Sequence, residues 1–422
     1  MPHVLGLRQE AGTPEARGGI DSTLPPSRAQ LGYTGSQVAR ILLRNALLLD
    51  PEGPAPQPAS LLLEDGRIAA RLGADAIGAG DAVVIDLDGL HVAPGFLDLH
   101  WHGSLVFGPP EGIAAALHQA SRARVREGVT AFLPTSVAMP VPELAAFVAG
   151  LAWALGTERW EGARPLGLHL EGPWISPLAA GAQPAAGIRP VNLEEVRALL
   201  DRAGDTLRML TLAPELPGAD ALLAELARRN VVAALGHSMA DARDVERAVD
   251  AGARHVTHLF NAMGPLHHRA PGLAGCALSD ERLSFDLICD GVHVDPRVVK
   301  LAFRAQRDRL VLITDRVEPP PGTPSYGSGV LVDDGVAIRL PDGRIAGSSL
   351  TLDRAVQNAC GYAGVSLLEA VAACTLRPAR LLGLEAERGT LRRGARADLV
   401  FLDARGQVVE TWIAGECMYA IA

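Results

Sequence analysis

Short apolar runs alternate with longer amphipathic stretches through the middle of the chain, between Pro94 and about Leu384. Each run has the length of a buried β-strand, and the stretches between them space their apolar residues as helices do. The eight runs are GFLDLH, VTAFLPT, PLGLHLE, LRMLTLA, VVAALGH, HVTHLF, LSFDLIC and LVLITD. Eight β-then-α units in this order predict an α/β fold, a parallel (β/α)8 barrel of the TIM type over residues 94–384.

A doubly wound parallel sheet would show the same alternation and stays open as an alternative. No G-x-G-x-x-G follows the first strand, so the nucleotide-binding version of that fold loses support. Helix signals agree with the alternation. Ser238 and Asp241 predict a capping box before the helix ADARDVERAV, and Gly252 predicts its end.

Short β patterns flank the barrel region on both sides. On the amino-terminal side they are RILLRNALLLD, SLLLEDGRIAA and AVVIDLDGLHV, and on the carboxyl-terminal side GTLRRGARADLVFLD and QVVETWIAGECMY. We expect residues 37–93 and 385–422 to form one small β-sandwich from both ends of the chain. Residues 1–36 mix Gly, Pro, Ser, Arg and Glu without a period, which indicates a mobile tail.

Composition and charge narrow the functional classes. Hydrophobic residues make up 48% of the 422 residues and charged ones 21%, as in ordinary globular proteins. A net charge of -9 argues against a nucleic-acid partner, which would need a basic face. The five cysteines form no C-x-x-C pair, and neither a signal peptide nor a bilayer-spanning stretch is evident. We therefore expect a cytoplasmic protein without a membrane partner.

Side chains that bind metals stand at the carboxyl ends of the predicted strands. They are His100 and His102 after the first strand, Glu171 after the third, His237 after the fifth, His258 after the sixth and Asp315 after the eighth. In a barrel these strand ends converge on one rim, so residues remote in sequence should meet there. The spacing of His100 and His102 sends both imidazoles to the same side of a strand.

This set of side chains has the chemistry of a catalytic metal site. Two imidazoles, one carboxylate and a water complete a four-coordinate zinc site with an open position, whereas structural sites are usually closed by cysteines. Asp315 could take a proton from a water at the metal and later pass it to a leaving group. The alternatives are that a histidine merely caps its strand and that Asp315 is an ordinary turn residue.

An ordered series of motifs resembles a known family. PGFLDLHWHG, HLEGPWISP, GHS, THLFNAM, the turn Arg269 to Gly272, DGVHVDP, LITD and IAGSSLTLD follow one another as in the N-acetylglucosamine-6-phosphate deacetylases of the amidohydrolase superfamily. The resemblance runs from about residue 40 to the end of the chain and includes the G-T-L-x-x-G-x-x-A-D-L-V segment from Gly389 to Val400.

The resemblance implies an activity and a metal. The reaction is hydrolysis of the acetamide of N-acetylglucosamine 6-phosphate to glucosamine 6-phosphate and acetate, in amino-sugar catabolism or cell-wall recycling. Glu171, His237 and His258 match the family's metal ligands, and Asp315 matches its catalytic acid/base. Retention of His100 and His102 allows a second ion bridged by Glu171. The divalent metal is expected to be zinc, with iron, cobalt or manganese as alternatives.

The lysine content argues against a related type of metal site. Many amidohydrolases bridge two metals with a carbamylated lysine on the fourth strand. Here Lys300 is the only lysine among 39 basic residues, and it stands in the helical stretch DPRVVKLAFRAQ. The glutamate-bridged type of site is therefore favoured over the carbamate-bridged type.

The resemblance also implies how a substrate is held. The matching positions are Arg269 and His293 for the sugar phosphate, Asn261 and Ala262 for the sugar or its phosphate, and Ala346, Gly347 and Ser348 over the sugar. An arginine fork and a histidine suit a phosphate dianion, although either residue could be solvated surface charge instead. In the family a neighbouring subunit completes the pocket, so a homodimer is expected.

Two positions depart from the family pattern and leave the substrate range open. Where the family has Gly-Ala-His, this chain has Gly181, Ala182 and Gln183, so a neutral donor replaces a histidine that holds the substrate. After Asp315 an Ala-rich run is replaced by Arg316, Val317 and a Pro-rich loop. The alternatives are a deacetylase of another amino-sugar phosphate, such as the galactosamine epimer, and a non-catalytic phosphosugar-binding protein.

Overall fold

The computed structural model describes residues 40–77, 80–323 and 330–421. The tail expected at residues 1–36 lies outside the described residues. In the described part of the chain, no helix is both long enough and apolar enough to cross a membrane.

The described residues form 21 strands and 10 α-helices. Strands β1 to β7 are Arg40–Leu48, Gln57–Glu64, Arg67–Leu72, Val83–Asp86, His91–Pro94, Phe96–Gly103 and Val129–Pro134. Strands β8 to β14 are Arg164–Pro165, Leu168–Glu171, Leu207–Leu212, Val232–Leu235, His255–Val256, Ser284–Ile288 and Leu310–Ile313. Strands β15 to β21 are Arg316–Val317, Val332–Asp333, Ala337–Arg339, Ile345–Ser348, Leu399–Leu402, Val408–Ile413 and Glu416–Ala420. Helices α1 to α10 are Ile113–Arg124, Val141–Thr157, Leu193–Ala203, Ala219–Arg228, Ala242–Asp250, Gly272–Ser279, Pro296–Gln306, Leu352–Ala363, Leu367–Ala373 and Leu376–Leu381.

Eight parallel strands, β6, β7 and β9 to β14, form the barrel. The pairs β6–β7 and β9–β10 through β13–β14 are all parallel. A parallel bridge between Thr135 and His169 joins β7 to β9, and the Asp315 N–H donates to the His100 carbonyl at 2.9 Å, joining β14 to β6. Each of the eight predicted apolar runs overlaps one of these strands, so the predicted (β/α)8 fold is confirmed.

The helices lie between the strands as the alternation predicts, but the predicted capping box was wrong. Helix α5 begins after Asp241, whose side chain accepts from the N–H groups of Arg243 and Asp244, while Asp244 bonds back to the Asp241 N–H. Ser238 lies three residues before this cap, and its hydroxyl donates to Glu215 at 2.7 Å and accepts from the Ala240 N–H at 3.0 Å, while the Asp241 N–H bonds to Asp244. The box therefore starts three residues later than the motif suggested.

A second sheet combines both ends of the chain. Its order is β21-β20-β19-β5-β1-β2-β3, with β4 paired to β1, and the antiparallel pair β19–β5 connects the two ends. Strand β1 pairs with β2 along one edge and with β4 and then β5 along the other. The sheet has an apolar core of its own, which includes Ile41, Leu43, Leu61, Phe401 and Trp412.

A small antiparallel unit follows the eighth barrel strand and was not predicted. Strands β16, β17 and β18 pair in order, and β18 also pairs in parallel with β15, which pairs with β6 of the barrel. Val317, Leu331, Ile338 and Leu340 form its small apolar cluster. This unit places β18 beside the carboxyl end of the barrel.

A buried aspartate, Asp98 of β6, forms an ion pair with Arg124 of α1 and hydrogen bonds with Thr314, which follows the last barrel strand. Asp98 accepts hydrogen bonds from Arg124 Nη2 at 2.5 Å, from the Thr314 hydroxyl at 2.6 Å and from the Thr314 N–H at 3.2 Å. It also accepts from the His100 N–H at 3.3 Å. Asp98 and Arg124 are 0% and 2% exposed, so each needs the other as its counter-charge.

We expect Arg124→Met to lower the free energy of unfolding by about 3–5 kcal/mol, because it leaves the Asp98 carboxylate buried without its counter-ion. Urea denaturation measures this change. Arg122→Met on the same helix is the control, since the pair of Arg122 with Glu161 is exposed and is worth at most about 1 kcal/mol. Equal effects of the two substitutions would contradict this assignment.

Candidate metal centre and active site

Six side chains meet at the carboxyl rim of the barrel. His100, His102 and Glu171 are at the ends of β6 and β9, and the others follow β11, β12 and β14 after one intervening residue: His237, His258 and Asp315. The histidines and Glu171 are at most 4% exposed, and the Asp315 side chain is 14% exposed. Their ligand atoms form two groups of three, each compact enough for a metal ion.

The first group is Glu171, His237 and His258. Glu171 Oε1 is 2.8 Å from His258 Nε2 and 3.1 Å from His237 Nε2, and the two nitrogens are 3.2 Å apart. All three side chains are buried. One carboxylate oxygen therefore faces two imidazole nitrogens at close range.

The second group is His100, His102 and Asp315. The two Nε2 atoms are 3.2 Å apart, and Asp315 Oδ1 is 3.4 Å from His100 and 3.3 Å from His102. Glu171 lies between the groups, with Oε1 3.5 Å from His100 Nε2 and Oε2 3.4 Å from His102 Nε2. The groups therefore share one carboxylate.

Backbone carbonyls set the direction of two of the imidazoles. His237 Nδ1 lies 2.9 Å from the Ala179 carbonyl, and His102 Nδ1 lies 3.1 Å from the Thr135 carbonyl. A carbonyl can only accept, so each Nδ1 carries the hydrogen, and in the neutral ring the Nε2 lone pair faces the cluster. This is the arrangement in which histidines bind metals.

The donor set fits a divalent metal ion. The lone pair of neutral His102 faces oxygens of Glu171 and Asp315, which also only accept, so nothing but a cation or a proton relieves the repulsion. Neighbouring ligand atoms of a tetrahedral zinc site with bonds of about 2.0–2.1 Å lie roughly 3.3–3.4 Å apart. The spacings of 3.2 to 3.5 Å around His100 and His102 match this value, and those of 2.8 to 3.2 Å in the first group are slightly shorter.

The pKa values show that the cluster favours positive charge. Burial by itself would lower the pKa of His102, but hydrogen bonds and charges from Asp315 and Glu171 outweigh it and raise that pKa to about 10. In the same way Glu171 raises the pKa of His258 to about 8 against the effect of burial. Burial would raise the pKa of the two carboxyls, but the surrounding imidazoles hold that of Glu171 well below its usual value and lower that of Asp315 to about 2.

Three of these residues have strained backbones. His237, His258 and Asp315 have φ values of +47°, +30° and +48°, in the left-handed region that residues with a Cβ rarely adopt. Such conformations cost on the order of 1–3 kcal/mol each and persist where the surrounding structure enforces them, often at functional sites. The strain turns each side chain from the strand end towards the rim.

A cleft opens above the cluster and takes in most of the predicted substrate-binding residues. Those that line it are Ala182, Gln183, Asn261, Ala262, His293, Ala346 and Gly347. His293 is held in place by Asp290, whose carboxylate bonds Nδ1 at 2.5 Å and the backbone N–H at 2.8 Å. This leaves His293 Nε2 for a ligand in the cleft.

Two predicted substrate residues do not line the cleft. Ser348 is 0% exposed, and its hydroxyl bonds to the Thr314 carbonyl while its N–H donates to the Asp315 carbonyl at 2.9 Å. Ser348 therefore stabilises the two residues after β14 through hydrogen bonds to their backbone carbonyls and does not face the cleft. Arg269 is exposed in the turn before α6, outside the walls of its own cleft.

Apolar walls of the cleft were missed by sequence reasoning. Phe107, Val137 and Leu331 line it together with the metal-binding side chains. They come from three segments that are remote in sequence and carry no motif.

A buried hydrogen-bond chain was also missed, in which His169 Nε2 pairs with the Thr211 hydroxyl at 2.8 Å and the Thr211 hydroxyl pairs with the Thr257 hydroxyl at 2.7 Å.

A parallel barrel that gathers histidines and carboxylates at the carboxyl ends of its strands defines the class of barrel hydrolases that use divalent metals. The family model described as the amidohydrolase family matches residues 91–418. The chain belongs to the amidohydrolase family, and it is a hydrolase that acts on an amide bond.

Relatives and solved structures with named activities are similar over most of the chain. An N-acetylgalactosamine-6-phosphate deacetylase from Escherichia coli is 35% identical and covers 89% of this chain and 98% of its own. A human N-acetylglucosamine-6-phosphate deacetylase is 34% identical, covering 93% and 98%. The crystal structure of a mutant N-acetyl-D-glucosamine-6-phosphate deacetylase from Mycobacterium smegmatis with N-acetyl-D-glucosamine-6-phosphate has a TM-score of 0.80 and 32% identity, covering 90% and 100%.

We expect His258→Asn to weaken divalent metal binding by more than about 100-fold. Loss of a group that only orients a metal ligand already lowers metal affinity by about 10–100-fold, and His258 is itself a ligand. Metal content after dialysis, measured by inductively coupled plasma mass spectrometry, checks this. His118→Asn is the control, since His118 lies outside the cluster and pairs with Glu158, with 3.1 Å between His118 Nε2 and Glu158 Oε2. Stoichiometric metal in His258→Asn would show that this group of ligands is not the tight site.

Proposed function

We propose that the chain hydrolyses the acetamide of N-acetylglucosamine 6-phosphate, giving glucosamine 6-phosphate and acetate, in amino-sugar catabolism or cell-wall recycling. The observation that carries the proposal is the buried group of Glu171, His237 and His258 beside Asp315, at the floor of a cleft that His293 also lines. Relatives at 34–35% identity are named for this reaction or for the same reaction on the galactosamine epimer. A phosphorylated sugar also suits a cytoplasmic enzyme.

Glu171, His237 and His258 would hold a zinc ion, and His100, His102 and Asp315 offer a place for a second one. A divalent ion bound there polarises the amide carbonyl and lowers the pKa of a water molecule towards neutrality. Iron, cobalt or manganese fit the same nitrogen and oxygen donors. The buried walls exclude bulk water and strengthen the electrostatic interactions in the cleft.

Asp315 is the proposed acid/base. Its low pKa keeps the carboxylate ionised at neutral pH, so it can accept the proton of the attacking water. The same carboxyl then donates that proton to the nitrogen as the amine departs.

Gln183 has two amide hydrogens, one of which bonds Glu171, so the second can donate to the developing oxyanion.

Asn261, the Ala262 backbone and His293 would hold the sugar phosphate, with Ala346 and Gly347 over the sugar ring. Arg269 is exposed outside its own cleft, and in the resembling family a neighbouring subunit completes the pocket. We therefore propose a homodimer in which Arg269 serves the cleft of the partner subunit. An arginine fork pairs well with a phosphate dianion.

We expect Asp315→Asn to lower kcat by about 10²–10⁴-fold, since the amide cannot accept the proton. Steady-state acetate release measures the rate, and the metal content of the same sample shows whether the Glu171 group is still loaded. The control Asp334→Asn changes an exposed carboxylate of the β16–β17 turn and should leave kcat unchanged. Full turnover of Asp315→Asn with its metal in place would remove Asp315 from the mechanism.

The galactosamine epimer is the second candidate substrate, because the Escherichia coli relative at 35% identity is named for it. Gln183 and Val317, which belong to the two departures from the family pattern, line the cleft and could alter the choice of epimer. A non-catalytic phosphosugar-binding protein is disfavoured, since binding alone needs neither Asp315 nor the metal-binding group.

Acetate release from four compounds tests the proposed function: the 6-phosphates of N-acetylglucosamine, N-acetylgalactosamine and N-acetylmannosamine, and unphosphorylated N-acetylglucosamine. We expect the highest kcat/KM for N-acetylglucosamine 6-phosphate and a large loss without the phosphate, because His293 and Arg269 then have no partner. Equal rates with and without the phosphate would contradict their roles. No acetate from any of the four would overturn the proposed function.

A further inference from the structure

The side chain of Gln183 spans from a loop to the central carboxylate of the cluster. Its amide nitrogen donates to Glu171 Oε2, and its amide oxygen accepts from the Ala138 N–H at 2.7 Å. The backbone N–H of Gln183 is also bonded, to the Ala180 carbonyl at 3.0 Å. The residue is therefore held at three points, one of which is Glu171.

The neighbours determine the orientation of this amide. A backbone N–H can only donate, so the atom that faces Ala138 must be the oxygen. The atom that faces Glu171 must then be the nitrogen, which matches the ionised state of that carboxylate. A hydrogen bond to an ionised group is stronger than one between neutral groups.

The two oxygens of Glu171 have different surroundings as a result. Oε1 faces three nitrogens, at 2.8 Å from His258, 3.1 Å from His237 and 3.5 Å from His100. Oε2 faces His102 Nε2 at 3.4 Å, but it is already the acceptor for Gln183. Oε1 is thus presented to the His237 and His258 group, while Gln183 competes for the oxygen nearest His102.

We propose that Gln183 is a positioning residue that withholds Glu171 Oε2 from metal, so that the enzyme binds one tight ion at Glu171, His237 and His258. The group of His100, His102 and Asp315 then binds a second ion only weakly. This inference rests on the proposed function in that it takes the cluster to be the enzyme's metal centre. It assigns to Gln183 a role in metal stoichiometry that is separate from contact with substrate.

Zinc titration of the metal-stripped protein against a chromophoric chelator tests the proposal, with metal content measured in parallel. The wild-type protein should retain one equivalent tightly. Gln183→Met keeps the length of the side chain and removes both hydrogen bonds. It should tighten the second equivalent by about 10-fold or more, within the range that partners of metal ligands control.

Gln183→Leu is a second variant that should behave in the same way if Met repacks the loop. Gln357→Leu is the matched control, because it removes a glutamine amide that bonds the Gly406 carbonyl at 3.4 Å, far along the chain from the cluster. Retention of the first equivalent in all variants shows that the cluster is still folded. The control should match the wild-type protein.

Two results would overturn the proposal: two equally tight ions in the wild-type protein, or an unchanged or weaker second ion in both Gln183 variants. These results do not depend on turnover. If the titration behaves as expected but no amino-sugar phosphate releases acetate, the proposed function fails and the role of Gln183 stands. If acetate is released and the second ion is unaffected, the role of Gln183 fails alone.

Discussion

The structure depends on one buried carboxylate. Glu171 is 2% exposed and has a nitrogen of each of four histidines within 3.5 Å, and these histidines come from three different segments of the barrel rim. Such a group of buried polar side chains is costly unless its charges are compensated. A divalent cation compensates the carboxylates and satisfies the imidazole lone pairs at once, so the rim is arranged for a cation that the chain itself does not supply.

The barrel holds this cluster through polar contacts beneath it. Asp98 accepts hydrogen bonds from the backbone of His100, a candidate metal ligand, and from Thr314, the residue before Asp315. Arg124 balances the charge of Asp98. The chain of His169, Thr211 and Thr257 fills the interior between the strands. The left-handed backbones of His237, His258 and Asp315 lie just beyond the ends of these strands, and conformations of this kind persist where the surrounding structure enforces them.

The sequence predicted those features for which a physical rule relates the position of a residue in the chain to its location in the fold. The alternation of apolar runs predicted the eight strands, and the rule that catalytic residues gather at carboxyl strand ends predicted which side chains would meet. Ser348 and Arg269 were predicted from motif matching, and neither lines the cleft of its own chain: Ser348 supports the end of β14, and Arg269 is exposed in the turn before α6. The unit β16 to β18 and the walls Phe107 and Leu331 could not be found, because they depend on loop contacts that no local pattern encodes.

The most direct test of the account is a crystal structure of the zinc-loaded protein with anomalous data at the zinc absorption edge. We expect a peak bonded to Glu171 Oε1, His237 Nε2 and His258 Nε2 at about 2.0–2.2 Å, with Asp315 beside it. Zinc bound elsewhere, or no ordered zinc at the rim of a folded barrel, would contradict the claim that the structure is organised around a metal-binding carboxylate.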